Sequence, residues 1–230
     1  VRWGPSPATR AAYFHTLSAI AASLNASSYR GAVALSSPFP DQPLDPFVAD
    51  MRIQRRDLRL SWFDARRAFA FPAGSAALAV VPPNTPLADV FSARLGLSRL
   101  ERVHLSPTDV DPYFDVYEWN PDAAFERFLE GARMPASASR RELGLPAAFG
   151  GALELLAIDP GALGAPPKDE YGYRAVLFMH ILDSRGELVA QDDRLDAPAW
   201  DWQPGDRFVQ LHRCTLGAEL ARGQYTVALG

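Results

Sequence analysis

The chain has 230 residues, of which 48% are hydrophobic and 22% are charged. This composition is typical of a folded globular protein with one large or two small domains, and it excludes a wholly disordered chain. The formal net charge of −4 excludes a general cationic surface, so no nucleic-acid partner is expected.

The first 131 residues alternate between helical and strand-like patterns. Apolar residues at helical spacing predict a helix of about 16 residues that starts near Thr9. The same spacing predicts shorter helices over residues 46–53, 87–95 and 121–131. Short apolar or alternating runs predict strands at 32–36, 58–62, 68–71, 76–81, 102–105 and 114–119. This alternation predicts an N-terminal three-layer α/β domain over residues 1–131.

The sequence pattern changes after residue 131. Residues 132–146 combine Pro135 with many small residues, which is typical of a linker. Beyond them, strands are predicted at 152–158, 174–182, 188–192, 208–215 and 224–229, separated by glycine and proline turns. The segment LDSRGEL at 182–188 predicts a hairpin in which Gly186 adopts a positive φ. These features predict a C-terminal antiparallel β-sandwich over residues 147–230.

The loop after the first predicted strand contains no phosphate-binding motif. Residues 36–40 read SSPFP, which is rich in proline rather than glycine. Neither a dinucleotide fingerprint nor a P-loop is present, so nucleotide binding is not supported and no cofactor is expected.

Three motifs in the C-terminal part resemble a known family. They are FMHILDSRGELVAQD at 178–192, WQPGD at 202–206 and GQYTVALG at 223–230. Together they resemble the β-sandwich that closes bacterial membrane glycosyltransferases similar to the dolichyl-phosphate-mannose–protein mannosyltransferase and aminoarabinose-transferase family. Upstream, VALS at 33–36, WFD at 62–64 and RAFAFP at 67–72 resemble the small α/β region after the last membrane helix of some members.

The resemblance implies a glycosyltransferase parent whose catalytic acids lie between N-terminal membrane helices outside this sequence. The chain is therefore expected to be a non-catalytic portion on the extracytoplasmic face of the cell membrane. Its expected partners are the membrane domain of the same parent chain and an acceptor glycan or lipid-linked sugar. On this view Val1 follows the last membrane helix and Gly230 precedes the family's tail. The family's usual extra strand is replaced here by a proline-rich segment at 160–172.

Two tryptophans and a carboxylate form the first candidate ligand site. Trp200 and Trp202 flank Asp201, and an extended segment would place both indoles on one face. Aromatic faces beside carboxylates are typical of sugar binding. The alternative is that one or both indoles pack into the core, where tryptophan is usually found.

Arg55 and Arg56 form the second candidate, within the densest basic cluster of the chain. Guanidinium groups there would hold a phosphate or face anionic headgroups. Alternation along a strand separates neighbouring side chains, so the alternative is a solvated surface paired with nearby Asp50, Asp57 and Asp64.

Metal ligation has weaker candidates in Asp192, Asp193 and Asp196, since hard cations need several converging oxygens. The alternative is a set of solvated turn carboxylates. His180 and Cys214 read as core residues rather than as a base and a nucleophile.

Two other functions stay open. One is a free-standing carbohydrate-binding or protein-interaction module without a transferase parent. The other is a soluble α/β enzyme with a β-sandwich appendage, which a pocket of converging titratable groups in the α/β half would favour.

Overall fold

The computed structural model describes residues 7–41, 44–105, 111–132, 153–155, 176–214, 216–217, 220 and 223–229. In these residues the helices are α1 (Pro7–Ala26), α2 (Asp45–Arg52), α3 (Asp89–Arg94) and α4 (Pro121–Ala132). The strands before α4 are β1 (Gly31–Ser36), β2 (Leu58–Phe63), β3 (Ala68–Phe71), β4 (Ala77–Val81), β5 (Ser98–His104) and β6 (Tyr113–Trp119). The strands after it are β7 (Leu153–Leu155), β8 (Leu177–Leu182), β9 (Leu188–Arg194), β10 (Arg207–Gln210), β11 (His212–Cys214) and β12 (Thr226–Leu229).

A five-stranded mixed sheet lies at the centre, in the order β2-β1-β4-β6-β5. Strand β1 pairs in parallel with β2 on one side and with β4 on the other, so that Val33 lies beside both Leu60 and Leu78. Strands β6 and β5 extend the sheet in antiparallel fashion. The parallel strands β1 and β4 are almost wholly apolar because both faces of the sheet are covered there.

One face of the sheet packs against α1. Val33 and Leu35 of β1 and Leu78 and Val80 of β4 alternate onto this face, as expected from the two-residue period of a strand. They form one buried cluster with a stripe of α1 that includes Leu17, Ile20 and Leu24. Helix α2 adds Ala49 to the same cluster and contacts α1.

The opposite face carries an aromatic core. Small side chains of β1 and β4, such as Ala34 and Ala79, leave room there for rings from other elements. The ring of Phe69 in β3 lies 4.7 Å from that of Phe63, 5.3 Å from that of Phe71 and 5.1 Å from that of Trp119. Helices α3 and α4 cover the far side through Phe91, Phe125 and Phe128.

The C-terminal strands form three antiparallel groups, and one of them joins the aromatic core. Strand β10 pairs with β3, which places Phe208 opposite Ala70 and Val209 opposite Phe69. The side chains of Phe208 and Val209 both belong to the aromatic core. Separately, β12-β8-β9 form a three-stranded sheet and β11 pairs with β7.

These sheets confirm the prediction of a mixed α/β chain that also contains antiparallel β-structure. Several elements match their predicted bounds closely, and β3 matches its predicted bounds of 68–71. The predicted hairpin is confirmed, with Gly186 at φ 81° between β8 and β9. The predicted strand at 208–215 is instead two strands, because β10 and β11 are separated at Leu211. Of the predicted linker at 132–146, only Ala132 lies in the described residues.

None of the helices in the described ranges is long and apolar enough to cross a lipid bilayer.

Candidate functional site

A polar crevice lies beyond the carboxyl ends of β1 and β4. Within the sheet, β2 lies on one side of β1 and β4 lies on the other. The chain continues from β1 toward β2 and so moves away from β4. In open α/β sheets, ligands bind at such a point, where the connections diverge and leave a gap between two loops. The loops here begin at Ser37 and at Pro82, and both line the crevice.

The β1 side of the crevice is built around two buried serines. Ser36, the last residue of β1, donates its hydroxyl to Oγ1 of Thr85 in the facing loop at 2.8 Å and accepts the backbone N–H of Ala65 at 3.1 Å. Ser37 donates its hydroxyl to the carboxylate of Asp45, the first residue of α2. The backbone N–H of Phe39 donates to Oγ of Ser37 at 2.9 Å, so the loop turns tightly over the sheet edge.

The opposite side is built around Asp111, which lies just before β6 and is 2% exposed. One carboxylate oxygen accepts the Thr16 hydroxyl of α1 at 3.2 Å, and the other accepts the backbone N–H of Asn84 at 2.8 Å. Burial raises the pKa of Asp111, and these two hydrogen bonds oppose the rise. Oδ1 of Asn84 is buried without a hydrogen-bond partner among the described residues.

The floor of the crevice is apolar, with Leu17, Ile20, Leu35 and the indole of Trp62. The cavity has a volume of only about 20 Å³, which is close to the space that one water molecule needs. A single polar group of a ligand, such as a hydroxyl, fits the inner space.

The crevice presents several hydrogen-bonding groups to a ligand. The Ser37 hydroxyl is bonded to the carboxylate of Asp45, and Asp111 supplies a second carboxylate. Together with Oδ1 of Asn84 and the indole of Trp62, these groups provide directed acceptors and donors that suit a polyhydroxylated ligand.

The tryptophan candidates are half-buried and pack against the two core clusters. The predicted extended segment is wrong because Ala199–Asp201 form a 3₁₀ turn. The ring of Trp202 stacks on Phe208 at 4.5 Å, and its indole N–H donates to the Ala197 carbonyl at 3.1 Å. Trp200 packs against the cluster on the α1 face, and its buried Nε1 has no hydrogen-bond partner in the described part of the chain. The two indoles therefore do not form one platform.

Asp201 joins the two halves of the chain. Its carboxylate accepts the backbone N–H of Trp62 at 2.8 Å. Burial raises the pKa of Asp201 to about 6, although the Trp62 hydrogen bond and Arg59 favour the charged form. Arg59 itself forms an ion pair with Asp206 across the same junction.

The arginine candidates are separated by the structure. Arg55 binds both oxygens of Asp57 at 2.6 Å and donates to the carbonyls of Ser27 at 2.6 Å and Tyr29 at 2.5 Å. These bonds hold the loop that enters β1, so its guanidinium is occupied. Arg56 is 80% exposed and lies 3.9 Å from Asp50. The two side chains therefore do not converge on one ligand.

The three aspartates proposed as metal ligands have separate partners. Asp192 binds Nε of Arg194 at 2.5 Å and the backbone N–H of Arg213 at 2.9 Å. Asp193 lies 3.0 Å from Nε2 of His180, and Asp196 accepts the side-chain amide of Gln210 at 2.8 Å. Across the described ranges, no three carboxylate, histidine or cysteine side chains form a group that could hold a metal ion.

Residue patterns alone do not reveal the crevice, because its polar side chains come from four distant segments. Serine after a strand and aspartate at the start of a helix are ordinary turn and cap residues. The available signal was the position of SSPFP directly after a buried strand, which topology places at a binding edge.

Comparisons with protein-family models, with curated proteins and with solved structures found no match.

Proposed function

We propose that this chain is the non-catalytic, extracytoplasmic region of a membrane glycosyltransferase and that the crevice binds a hydroxyl-bearing part of an acceptor or glycan. The observation that carries the binding role is the crevice itself, at the divergence of β1 and β4. Its buried Asp111, its Ser37–Asp45 pair and the unpaired Oδ1 of Asn84 supply both acceptors and donors. The transferase parent rests on the resemblance of the C-terminal motifs.

The layout that goes with this proposal is a three-layer α/β domain followed by a β-sandwich. The first part is supported by α1 on one face of the central sheet and by α3 and α4 on the other. The second is supported by packing between the three-stranded sheet and β11, where Met179, Ile181 and Cys214 form a buried cluster.

An apolar patch supports the membrane domain of the parent chain as a partner. Leu44, Phe47 and Met51 recur at the spacing of one helix face, and Phe39 lies in the loop before α2. Phe47 is 55% exposed and Met51 is 64% exposed. Contiguous exposed apolar side chains with a charged rim, here Asp50 and Arg56, are typical of interaction surfaces.

The binding role is tested on a glycan array with the purified chain. We expect binding to a restricted set of glycans and a loss of about tenfold or more in Asp111→Asn and Ser37→Ala, since each removes charge or a hydroxyl from the crevice. The matched control is Asp50→Asn on the exposed face of α2. Absence of binding to every glycan, or equal binding by all variants, would contradict the proposal.

The parent is tested separately by reading the coding sequence upstream of Val1. A series of hydrophobic spans supports the membrane glycosyltransferase. A secretory signal peptide alone would favour the free-standing carbohydrate-binding module, with the crevice retaining its role.

A further inference from the structure

A second cavity is lined mainly by arginines. Its volume is about 410 Å³, and its lining consists of Arg66, Arg67, Asp192, Arg194, Leu211 and Arg213. The arginines come from the turn between β2 and β3, from the end of β9 and from β11. Three separate chain segments therefore bring four arginines to the wall of one cavity.

Two of the guanidinium groups are held in place by buried carboxylates. Arg66 donates from Nε and Nη2 to Asp64 at 2.9 Å and 2.6 Å, and Asp64 is 3% exposed. Arg194 donates from Nε to Asp192 at 2.5 Å. Each pair fixes one edge of a planar guanidinium and leaves its other N–H groups free to face the cavity, so less side-chain entropy is lost when an anion binds.

The other two arginines lie on a rigid backbone. The carbonyl of Arg67 accepts the backbone N–H of Leu211 at 2.6 Å. The backbone N–H of Arg213 donates to Asp192 at 2.9 Å. Arg67 has no ion pair within the described residues, and its side chain is exposed. It is a cationic group available at the cavity wall.

The local charge favours an anion although the chain as a whole is acidic. The lining holds four arginines and one aspartate, a balance of +3. The chain as a whole, by contrast, carries a formal net charge of −4. Asp196 is bonded to Gln210 and binds none of the four guanidiniums directly.

We propose that this arginine cavity binds a phosphate or pyrophosphate group of a phosphorylated ligand. The forked N–H groups of arginine match the oxygens of phosphate in spacing and charge, which a single lysine does not do. The volume is within the range of sites for small molecules and exceeds what one small ion needs. The site is independent of the crevice and uses none of its residues.

The proposal is tested by calorimetric titration of the purified chain with sodium pyrophosphate at constant ionic strength. We expect saturable binding, weakened about tenfold or more in Arg67→Gln, since this substitution removes a charged hydrogen-bond donor. Arg67→Lys is expected to bind more weakly than the wild type but more tightly than Arg67→Gln. Arg30→Gln is the matched control, because Arg30 is 81% exposed, precedes the amino end of β1 and does not line the cavity.

Absence of saturable pyrophosphate binding would overturn the proposal, and so would equal affinity in Arg67→Gln and Arg30→Gln. Circular dichroism of each variant establishes that it is folded. A second arm uses sedimentation with vesicles of phosphatidylcholine, alone or with phosphatidic acid. Pyrophosphate binding without vesicle binding assigns the site to a free phosphorylated ligand, and binding of both assigns it to a lipid headgroup phosphate as well.

Discussion

The carboxylate of Asp201 accepts a hydrogen bond from the backbone N–H of Trp62 at 2.8 Å, across 139 residues of sequence. Trp62 lies in β2 at the edge of the central sheet, and Asp201 ends the 3₁₀ turn before β10. This single bond fixes the turn to the sheet edge, and it places a carboxylate where water is largely excluded. Because burial disfavours the charged carboxylate, it raises the pKa of Asp201 to about 6.

Asp201 therefore makes stability depend on pH. An aspartate whose pKa is higher in the folded than in the unfolded chain holds its proton more tightly when folded. Its contribution to the free energy of unfolding then falls as pH rises from about 4 to about 6, by about 3 kcal/mol at most. Asp201→Asn keeps an acceptor for Trp62 and lacks the charge. We expect it to match the wild type at pH 4 and to be more stable at pH 7.5, as measured by urea unfolding.

Asp201→Ala is the matched control for the hydrogen bond. It leaves the Trp62 N–H without its acceptor, so we expect it to be less stable than Asp201→Asn at both pH values by about 1–3 kcal/mol. A stability difference between wild type and Asp201→Asn that does not change with pH would contradict the burial argument.

The two tryptophans near Asp201 are expected to respond differently to the same substitution. Trp202→Phe removes the indole N–H that donates a hydrogen bond to the Ala197 carbonyl. Trp200→Phe removes a buried indole N–H that has no hydrogen-bond partner among the described residues. We expect Trp202→Phe to cost about 1–2 kcal/mol more stability than Trp200→Phe, since only the first breaks a hydrogen bond. Thermal unfolding followed by circular dichroism measures both. Equal losses would show that ring area alone determines the cost.

Asp111 is expected to stabilise the crevice through its two acceptor bonds. Asp111→Ala leaves the Thr16 hydroxyl and the Asn84 N–H without their acceptor, and we expect a loss of about 2 kcal/mol or more in the free energy of unfolding. Asp111→Asn keeps one acceptor oxygen and should lose less. If both variants unfolded at the same denaturant concentration, the hydrogen bonds would contribute nothing measurable.

Phe69 lies at the centre of the aromatic core, fully buried and in contact with four other rings. Phe69→Ala is expected to cost about 3–5 kcal/mol, because the removed ring leaves a cavity that rigid neighbours cannot fill. Phe47→Ala, on the exposed face of α2, is the control and should change stability by less than about 1 kcal/mol. Guanidinium unfolding curves of both variants give the comparison. A cost for Phe69→Ala close to that for Phe47→Ala would contradict the packing described.

Local patterns predicted most elements well, because an apolar run bounded by turn residues is a strong strand signal. Strand β3 is an example, with the segment AFAF followed by Pro72. They did not reveal that β10 pairs with β3, since ladder hydrogen bonds join backbones and carry little information about partner identity. Nor did they reveal that the Trp200–Trp202 segment turns, where Pro198 and Pro204 remove two donors from any extended pairing.

The candidate site was less predictable than the fold for the same reason. Ser37, Asp45 and Asp111 are each unremarkable in sequence, and only the sheet order brings them to one edge. The four arginines of the second cavity were visible only as scattered charges, apart from the neighbours Arg66 and Arg67. Their convergence follows from the packing of β9 and β11 beside the turn that precedes β3.

The pairing of β3 with β10 has a consequence for biosynthesis. A ribosome makes Phe69 and Phe71 long before it makes Phe208 and Val209, which pack against them. The nascent chain must therefore carry an uncovered aromatic surface through the synthesis of residues 72–206. Long-range strand pairing of this kind slows folding and exposes intermediates to aggregation. Until β10 has been synthesised and pairs with β3, the α/β half is expected to bind chaperones.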